Sequence, residues 1–500
     1  MGSFTLADWL QQWLDVGTGE PAYRQLYKLI RSAILKGHLP SGSRLPSSRG
    51  LAAELSIARN TVLQVYEQLE LEGYVAAATG RGTFVADISQ DLFDEPGGAL
   101  AGAAADGQQA QHRDLSPRGR SLVESMGYSS RQSGAFMPGV PDVAEFPFKA
   151  WNRIQSRHWR RASAQLLTYS PAGGYEPLRY AVSEYLNSAR SVNSTAQQVV
   201  MTTGIHQDVD VATRLLCQQG DLVWIEEPSY WGVRNLLLSS GLNVVSIPVD
   251  AEGMCLAAAD LSRPPRLIVV SPSHQYPLGM VMSLARRRML LEYARQNGCW
   301  IIEDDYDSEF RFGSRPLPSL QGLDSSDLVL YAGSFSKTLF PGLRVGYLVV
   351  PAQVAGPFAG AVAELYREGQ LMTQSILAEF IREGYLTSHI RRVRNLYSER
   401  RECMIKAIFR HFGDGLDVFG GQAGLHLVLG LPDYVDDALV AKEAFVRGVI
   451  VRPLSKYYLN RRSARQGLLL GYASVPLERI DAAFDVLATV IRRHLRARRA

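Results

Sequence analysis

The run Ala332-Gly333-Ser334-Phe335-Ser336-Lys337 follows the apolar stretch Asp327-Leu328-Val329-Leu330-Tyr331. A lysine delivered by a strand into a Ser- and Gly-rich turn is held on rigid backbone, so its amine can condense with a carbonyl to an imine, unlike a mobile, hydrated surface lysine. Further along, Pro341-Gly342-Leu343-Arg344 offers a guanidinium for a phosphate that the Ser334 and Ser336 hydroxyls can also bind. Upstream, Trp300-Ile301-Ile302-Glu303-Asp304-Asp305-Tyr306 reads as a buried strand ending in acids. Alternation puts Asp304 and Tyr306 on one side and leaves Asp305 as a solvated or capping acid. Met201-Thr202-Thr203-Gly204-Ile205-His206-Gln207 follows the strand at Val199-Val200 and opens a helix, whose first amides, at Ile205 and His206, suit an anion. Glu227-Pro228-Ser229-Tyr230 follows a strand over 222–225 and supplies an aromatic face at Tyr230.

Singly, these are a solvated lysine, a capped helix and a core tyrosine. Together they meet the requirements of pyridoxal 5'-phosphate. Lys337 carries the imine, and Asp304 keeps the ring nitrogen protonated. Tyr306 donates to the phenolic oxygen, Tyr230 stacks on the ring, and Ser334, Ser336, Arg344 and the helix start cup the phosphate.

A different chemistry is written near the N-terminus. Between Pro21 and Val85 eight Lys or Arg stand against four acids, whereas the whole chain carries only +4. Leu26, Ile30 and Ile34 mark one face of a helix that ends at Gly37. After a turn at Ser41–Pro46, Ser47 or Ser48 caps a short helix carrying Arg49, Leu51, Ala52 and Leu55. From Ala58, Val62, Val65, Tyr66 and Leu69 recur at helical spacing and leave Arg59, Asn60, Thr61 and Gln64 outward. Tyr74-Val75 and Gly82–Val85 read as strands around the tip Thr79-Gly80-Arg81-Gly82. A helix start bearing Arg59, Asn60 and Thr61 can read base edges in a major groove, while Ser48, Arg49 and Arg81 reach phosphates or the minor groove. The residues by themselves suit either double-stranded DNA or a three-helix protein-interaction module with a solvated basic face; double-stranded DNA is the partner that the resemblance given below implies.

Five hundred residues predict more than one folding unit. Residues 1–86 form the winged-helix reader, and residues 87–118, rich in Gly, Ala, Asp and Gln, form a flexible linker. Residues 119–500 alternate strand-like and helical patterns to the C-terminus, as a mainly parallel α/β domain does. The fold class is therefore multidomain, an all-α winged helix-turn-helix head on an α/β cofactor domain. No apolar run is long enough to span a membrane. The start Met1-Gly2-Ser3-Phe4-Thr5 lacks a secretory pattern, so a cytoplasmic location is expected. Cys217, Cys255, Cys299 and Cys403 have no paired spacing, so neither a metal site nor a disulfide framework is predicted. The basic tail from Arg492 to Arg499 suits a solvated helix C-terminus.

The segments Leu45–Ala52, Arg59–Val62, Leu71–Tyr74 and Gly80–Val85 strongly resemble the GntR-type winged helix, with Ala58 where that family usually has serine. From about Leu115 onward the chain resembles the fold-type I (class I and II) aminotransferases. Together with Ser271-Pro272-Ser273-His274-Gln275-Tyr276-Pro277-Leu278-Gly279 and Ala423-Gly424-Leu425-His426, the whole resembles the MocR/GabR group of regulators. That resemblance implies a transcriptional regulator acting as a domain-swapped homodimer that senses a small amine, an amino acid or the cofactor itself. The alternative is an active aminotransferase with an accessory head. Two departures favour sensing. Tyr276 stands where working transaminases carry an asparagine near the phenolic oxygen, with His274 or Gln275 as substitutes. Leu469 stands where an arginine would hold the substrate carboxylate, leaving Arg452, after Val449–Val451, as the candidate effector anchor.

Overall fold

The spacing of Leu26, Ile30 and Ile34 produces one buried helix face. It belongs to the second of the helices α1 (Leu6–Gln11), α2 (Ala22–Leu35), α3 (Ser48–Glu54) and α4 (Arg59–Leu71). Against it α4 turns Val62, Val65, Tyr66 and Leu69 inward, and α3 adds Leu51 and Ala52. Each large aliphatic chain buried this way contributes roughly 1.5–3 kcal/mol. Ser47 rather than Ser48 caps α3, its hydroxyl accepting from the Gly50 amide at 3.0 Å. Ala58, at the start of α4, makes no side-chain cap. The antiparallel hairpin of β1 (Val75–Ala78) and β2 (Gly82–Val85) completes the unit, with Val75 opposite Val85 and Ala78 opposite Gly82.

The structure is a computed structural model that describes residues 6–14, 20–78, 81–87, 115–124, 134–313, 318–367 and 370–496. Thr79 and Gly80 of the expected wing tip, residues 88–114 of the expected linker and the last four residues of the basic tail lie outside the described residues. The chain divides into two compact units, Met1–Asp114 and Leu115–Ala500. Helix α5 (Pro117–Glu124) starts inside the expected linker. Ser116 Oγ accepts from the Gly119 amide at 3.1 Å, and Pro117 supplies the preset φ of a first helical residue.

The large unit continues through α6 (Phe148–Arg160), α7 (Glu176–Arg190), β3 (Val199–Thr202), α8 (Ile205–Leu216), β4 (Leu222–Glu227) and α9 (Trp231–Ser239). Next come β5 (Asn243–Asp250), β6 (Gly253–Met254), β7 (Leu267–Val270), α10 (Leu284–Asn297), β8 (Trp300–Asp305), α11 (Leu320–Leu323), β9 (Val329–Ser334) and β10 (Gly346–Val349). These strands make one sheet in the order β3-β10-β9-β8-β7-β4-β5-β6. Neighbours from β9 to β5 are parallel, while β10 runs antiparallel to both β3 and β9.

The parallel reading fails beyond α12 (Ala352–Tyr366), α13 (Leu371–Arg382) and α14 (Tyr385–Phe412). There β11 (Val418–Phe419), β12 (His426–Gly430), α15 (Asp437–Val446), β13 (Arg452–Pro453), β14 (Gly467–Gly471) and α16 (Leu477–Arg496) build a second, antiparallel sheet of order β11-β12-β14-β13. The run Leu468-Leu469-Leu470 imitates a parallel core strand because both faces of β14 are covered. Leu468 and Leu470 join the cluster under Phe484 and Leu487, and Leu469 packs with Leu454 and Tyr457 on the other side. Val449–Val451, expected as a strand, only leads into β13.

Candidate functional site

Strand β8 sorts its acids by alternation. Glu303 and Asp305 turn to one face, and Glu303 accepts from the amides of Leu320 and Gln321 at 2.9 Å each. Asp305, expected as a solvated acid, is instead buried. It pairs with Arg190 at 2.9 Å and receives the Tyr331 hydroxyl, while Arg190 also donates to Ser273 at 2.7 Å. The reason is its central strand: the face of β8 that carries Glu303 and Asp305 is shut off from water, so the carboxylate persists only beside a cation.

Asp304 turns the other way, into a cleft whose walls include Glu226, Ser229, Tyr230, Val269 and Tyr276. Its carboxylate has no hydrogen-bond partner among the described residues. Burial, reinforced by the Asp305 and Asp307 carboxylates, pushes its pKa up to about 7 against the pull of Lys337. Burial likewise lifts Glu226 to about 8, although the Ser271 amide donates to it at 3.1 Å. Ser229 Oγ is buried in the same wall with no hydrogen-bond partner among the described residues.

Lys337 follows β9, and its Nζ donates to the Gly139 carbonyl at 2.6 Å. Burial holds its pKa below the ordinary lysine value, with Asp307 and then Asp304 pulling the other way. The end of the cleft expected to take an anion is assembled by register. Gly346 of β10 lies opposite Thr202 of β3 and Ser334 of β9, which brings both strand ends level. A Cβ on Gly346 would sit 2.6 Å from the Gly204 Cα, so only glycine allows this approach. Gly204, at φ +114°, then opens α8 with Ile205 and His206 in its first turn, where amides lack intrahelical acceptors. Ser334 Oγ lies beside Gly204 and accepts from the Ser336 amide at 3.1 Å. Arg344, left-handed at φ +51°, is exposed, and its charge, after burial, is what lowers the His206 pKa. His206 Nε2 meets the Tyr230 hydroxyl at 3.1 Å, the two rings lying edge to face.

In the small unit Arg49, Arg59, Asn60 and Arg81 are exposed, and Ser48 and Thr61 are half-buried. The exposed set comes from the first turn of α4, the start of α3 and the turn before β2.

Residues 140–487 match the family described as aminotransferase class I and II, and residues 22–85 match the gntR family of bacterial regulatory proteins. The probable rhizopine catabolism regulatory protein MocR of Rhizobium meliloti is 39% identical over 92% of both chains. The HTH-type pyridoxine biosynthesis transcriptional regulator PdxR of Corynebacterium glutamicum is 31% identical over 90% of this chain and 91% of its own. This chain belongs to the MocR-type transcriptional regulators.

The aminotransferase-like unit of this MocR-type regulator has the fold of LysN, an alpha-aminoadipate aminotransferase from Thermus thermophilus solved with N-(5'-phosphopyridoxyl)-L-leucine. The TM-score is 0.67 at 28% identity, covering 77% of this chain and 97% of that one. Pyridoxal 5'-phosphate is the cofactor of the family, and the cleft fits it. An unpartnered acid, an orphaned hydroxyl in the wall and a glycine-lined helix start are what a ring nitrogen and a phosphate would occupy.

The position of the missing asparagine resolves plainly. The Tyr276 hydroxyl meets that of Tyr457 at 3.1 Å. Gln275 buttresses its own loop, donating to the carbonyls of Pro228 and Tyr276 and accepting from the Leu278 amide. His274 lies behind Tyr306, with Nδ1 2.8 Å from its hydroxyl. Arg452 stands directly opposite Leu469 in the β13–β14 pairing, on the same face of that sheet. Sequence reasoning missed Gly139, Arg190, Glu226, Asp307 and Tyr457. Of these only Asp307, in Asp304-Asp305-Tyr306-Asp307, carried a local signal, since the others arrive from distant elements.

Proposed function

We propose that this regulator binds operator DNA through α4 and the β1–β2 hairpin and senses an amine-bearing effector in the cofactor cleft. Arg59, Asn60 and Thr61 read base edges, and Ser48, Arg49 and Arg81 hold the backbone. In the cleft Lys337 is the attachment point, Asp304 takes the ring-nitrogen end, Tyr306 the phenolic oxygen and Tyr230 the ring face. His274 sits behind Tyr306. Ser334, Ser336, Arg344 and the amides of Ile205 and His206 take the phosphate. When bound, pyridoxal phosphate supplies an aldehyde that joins covalently to an amine, that of Lys337 or of an effector. The lowered pKa of Lys337 makes its neutral, nucleophilic form accessible.

The observation that carries the reading is that Lys337 and Asp304 lie close enough to act on each other's charge, in a chain that also presents the Arg59–Thr61 helix start. Sensing is favoured over turnover because Leu469 replaces the carboxylate fork. Arg452, register-paired with it, anchors an effector carboxylate from the neighbouring strand. The effector is pyridoxal phosphate itself or a small amine such as an ω-amino acid. The regulator works in the cytoplasm as a homodimer with exchanged heads, so an effector in the cleft biases the geometry of two winged helices.

The test is the visible spectrum of the purified protein during incubation with amines, amino acids and 2-oxo acids. Stoichiometric spectral change that alters operator binding supports the sensor. Rapid multiple turnover overturns it in favour of an aminotransferase with an accessory head.

A further inference from the structure

The cleft lacks the transaminase asparagine, yet Tyr306 is not left to choose its own hydrogen bond. We infer that His274 and Asp307 form a positioning pair that holds the Tyr306 hydroxyl as a donor into the cleft, doing indirectly what the asparagine does elsewhere. This rests on the reading that the cleft takes pyridoxal phosphate.

The argument is one of donors and acceptors. His274 Nδ1 lies 2.9 Å from Asp307 Oδ1 and 2.8 Å from the Tyr306 hydroxyl, and both His274 and Asp307 side chains are 1% exposed. A carboxylate only accepts, so Nδ1 must carry the imidazole proton. That N–H also faces the Tyr306 oxygen, which therefore receives and cannot donate back. Its own proton is then available to an acceptor outside the pair. Lys337, His426 and Tyr472 are the other titratable neighbours of Asp307. His426 Nε2 donates to the Pro277 carbonyl at 2.9 Å, and its ring stands 5.6 Å, centroid to centroid, from that of His274, with no hydrogen bond between the two rings among the described residues.

Two glycines let the backbone lie close against the His274 ring. A Cβ on Gly424 would lie 2.1 Å from His274 Cε1 and 2.7 Å from Asp307 Oδ2, and one on Gly279 would lie 3.0 Å from His274 Nε2. The Gly424 wall is itself pinned, its carbonyl accepting from the Tyr472 hydroxyl at 2.7 Å. Tyr276 and Gln275, the other candidates from this loop, are committed elsewhere.

Two measurements on the full chain test the pair. The first is 15N NMR of histidine-labelled protein without cofactor, with the His274 signal assigned by its loss in a variant. The expected result is the Nδ1–H tautomer, and a proton on Nε2 alone overturns the inference whether or not the cofactor binds. The second is the pH midpoint of the visible band near about 420 nm after loading with pyridoxal phosphate. Loss of a donor to the phenolate oxygen destabilises the deprotonated form, so Tyr306→Phe should raise the midpoint by about 1 pH unit or more. His274→Phe should raise it in the parent and leave it unmoved in the Tyr306→Phe background. An equal shift in both backgrounds, or none in either, overturns the inference. If His274→Phe does not fold, Asp307→Ala, which removes the acceptor that fixes the Nδ1 proton, takes its place with the same expected pattern. A parent that takes up no cofactor refutes the cofactor reading instead, and the NMR arm still decides the positioning pair.

Discussion

Asp304 and Asp305 are chain neighbours with opposite energetic roles, and substituting each in turn measures the difference. Asp305 is 1% exposed beside Arg190 at 4%, 2.9 Å away. Asp305→Ala leaves that guanidinium buried and unpaired, which costs about 3–5 kcal/mol. Asp304 is the reverse case. Its pKa rises from 3.8 to about 7, roughly three units at 1.36 kcal/mol each, so its ionisation costs the cofactor-free fold up to ~4 kcal/mol. The native state holds this proton more tightly than the unfolded chain does, so stability is lost as pH rises from about 4 through about 7. Asp304→Asn removes that loss. The variant should match the parent near pH 4 and be a few kcal/mol more stable at pH 8, while losing affinity for pyridoxal phosphate. Denaturant unfolding of the cofactor-stripped protein at several pH values, read on the large unit's transition, with cofactor uptake followed by absorbance, separates the two. Equal destabilisation by both substitutions, or loss of less than about 1 kcal/mol in Asp305→Ala, would refute this assignment of faces.

Lys337→Ala should abolish borohydride-trappable attachment of the cofactor and the DNA-binding response to effector, while basal operator affinity, measured by anisotropy, stays within a few-fold. Arg59→Ala should weaken specific operator binding by about 1–3 kcal/mol and relax sequence preference, whereas Arg81→Ala should mainly reduce the salt dependence. Arg452→Leu should raise the concentration of a carboxylate-bearing effector needed for half-response by about 10-fold or more, with no change for an amine lacking a carboxylate.

The small unit was legible almost residue by residue, because its logic is local. Helical spacing places Leu26, Ile30, Val62 and Leu69 inward, which leaves Arg59 and Asn60 outward before any tertiary contact is considered. The proposed cofactor residues could be read together for a related reason, since Ser334, Ser336 and Lys337 lie within one strand-turn, and Asp304 and Tyr306 are two apart on another. Only the tertiary structure could decide which acid of β8 is structural, because the difference is made by Arg190, far back in the chain on α7. Nor could local pattern reveal the antiparallel second sheet, whose Leu468-Leu469-Leu470 run is apolar on both faces, or that Arg452 stands opposite Leu469. The sequence thus determined periodicity and local chemistry, which depend on neighbours along the chain. The fold decided charge states, hydrogen-bond direction and strand partners, because these depend on what distant segments place within about 3 Å.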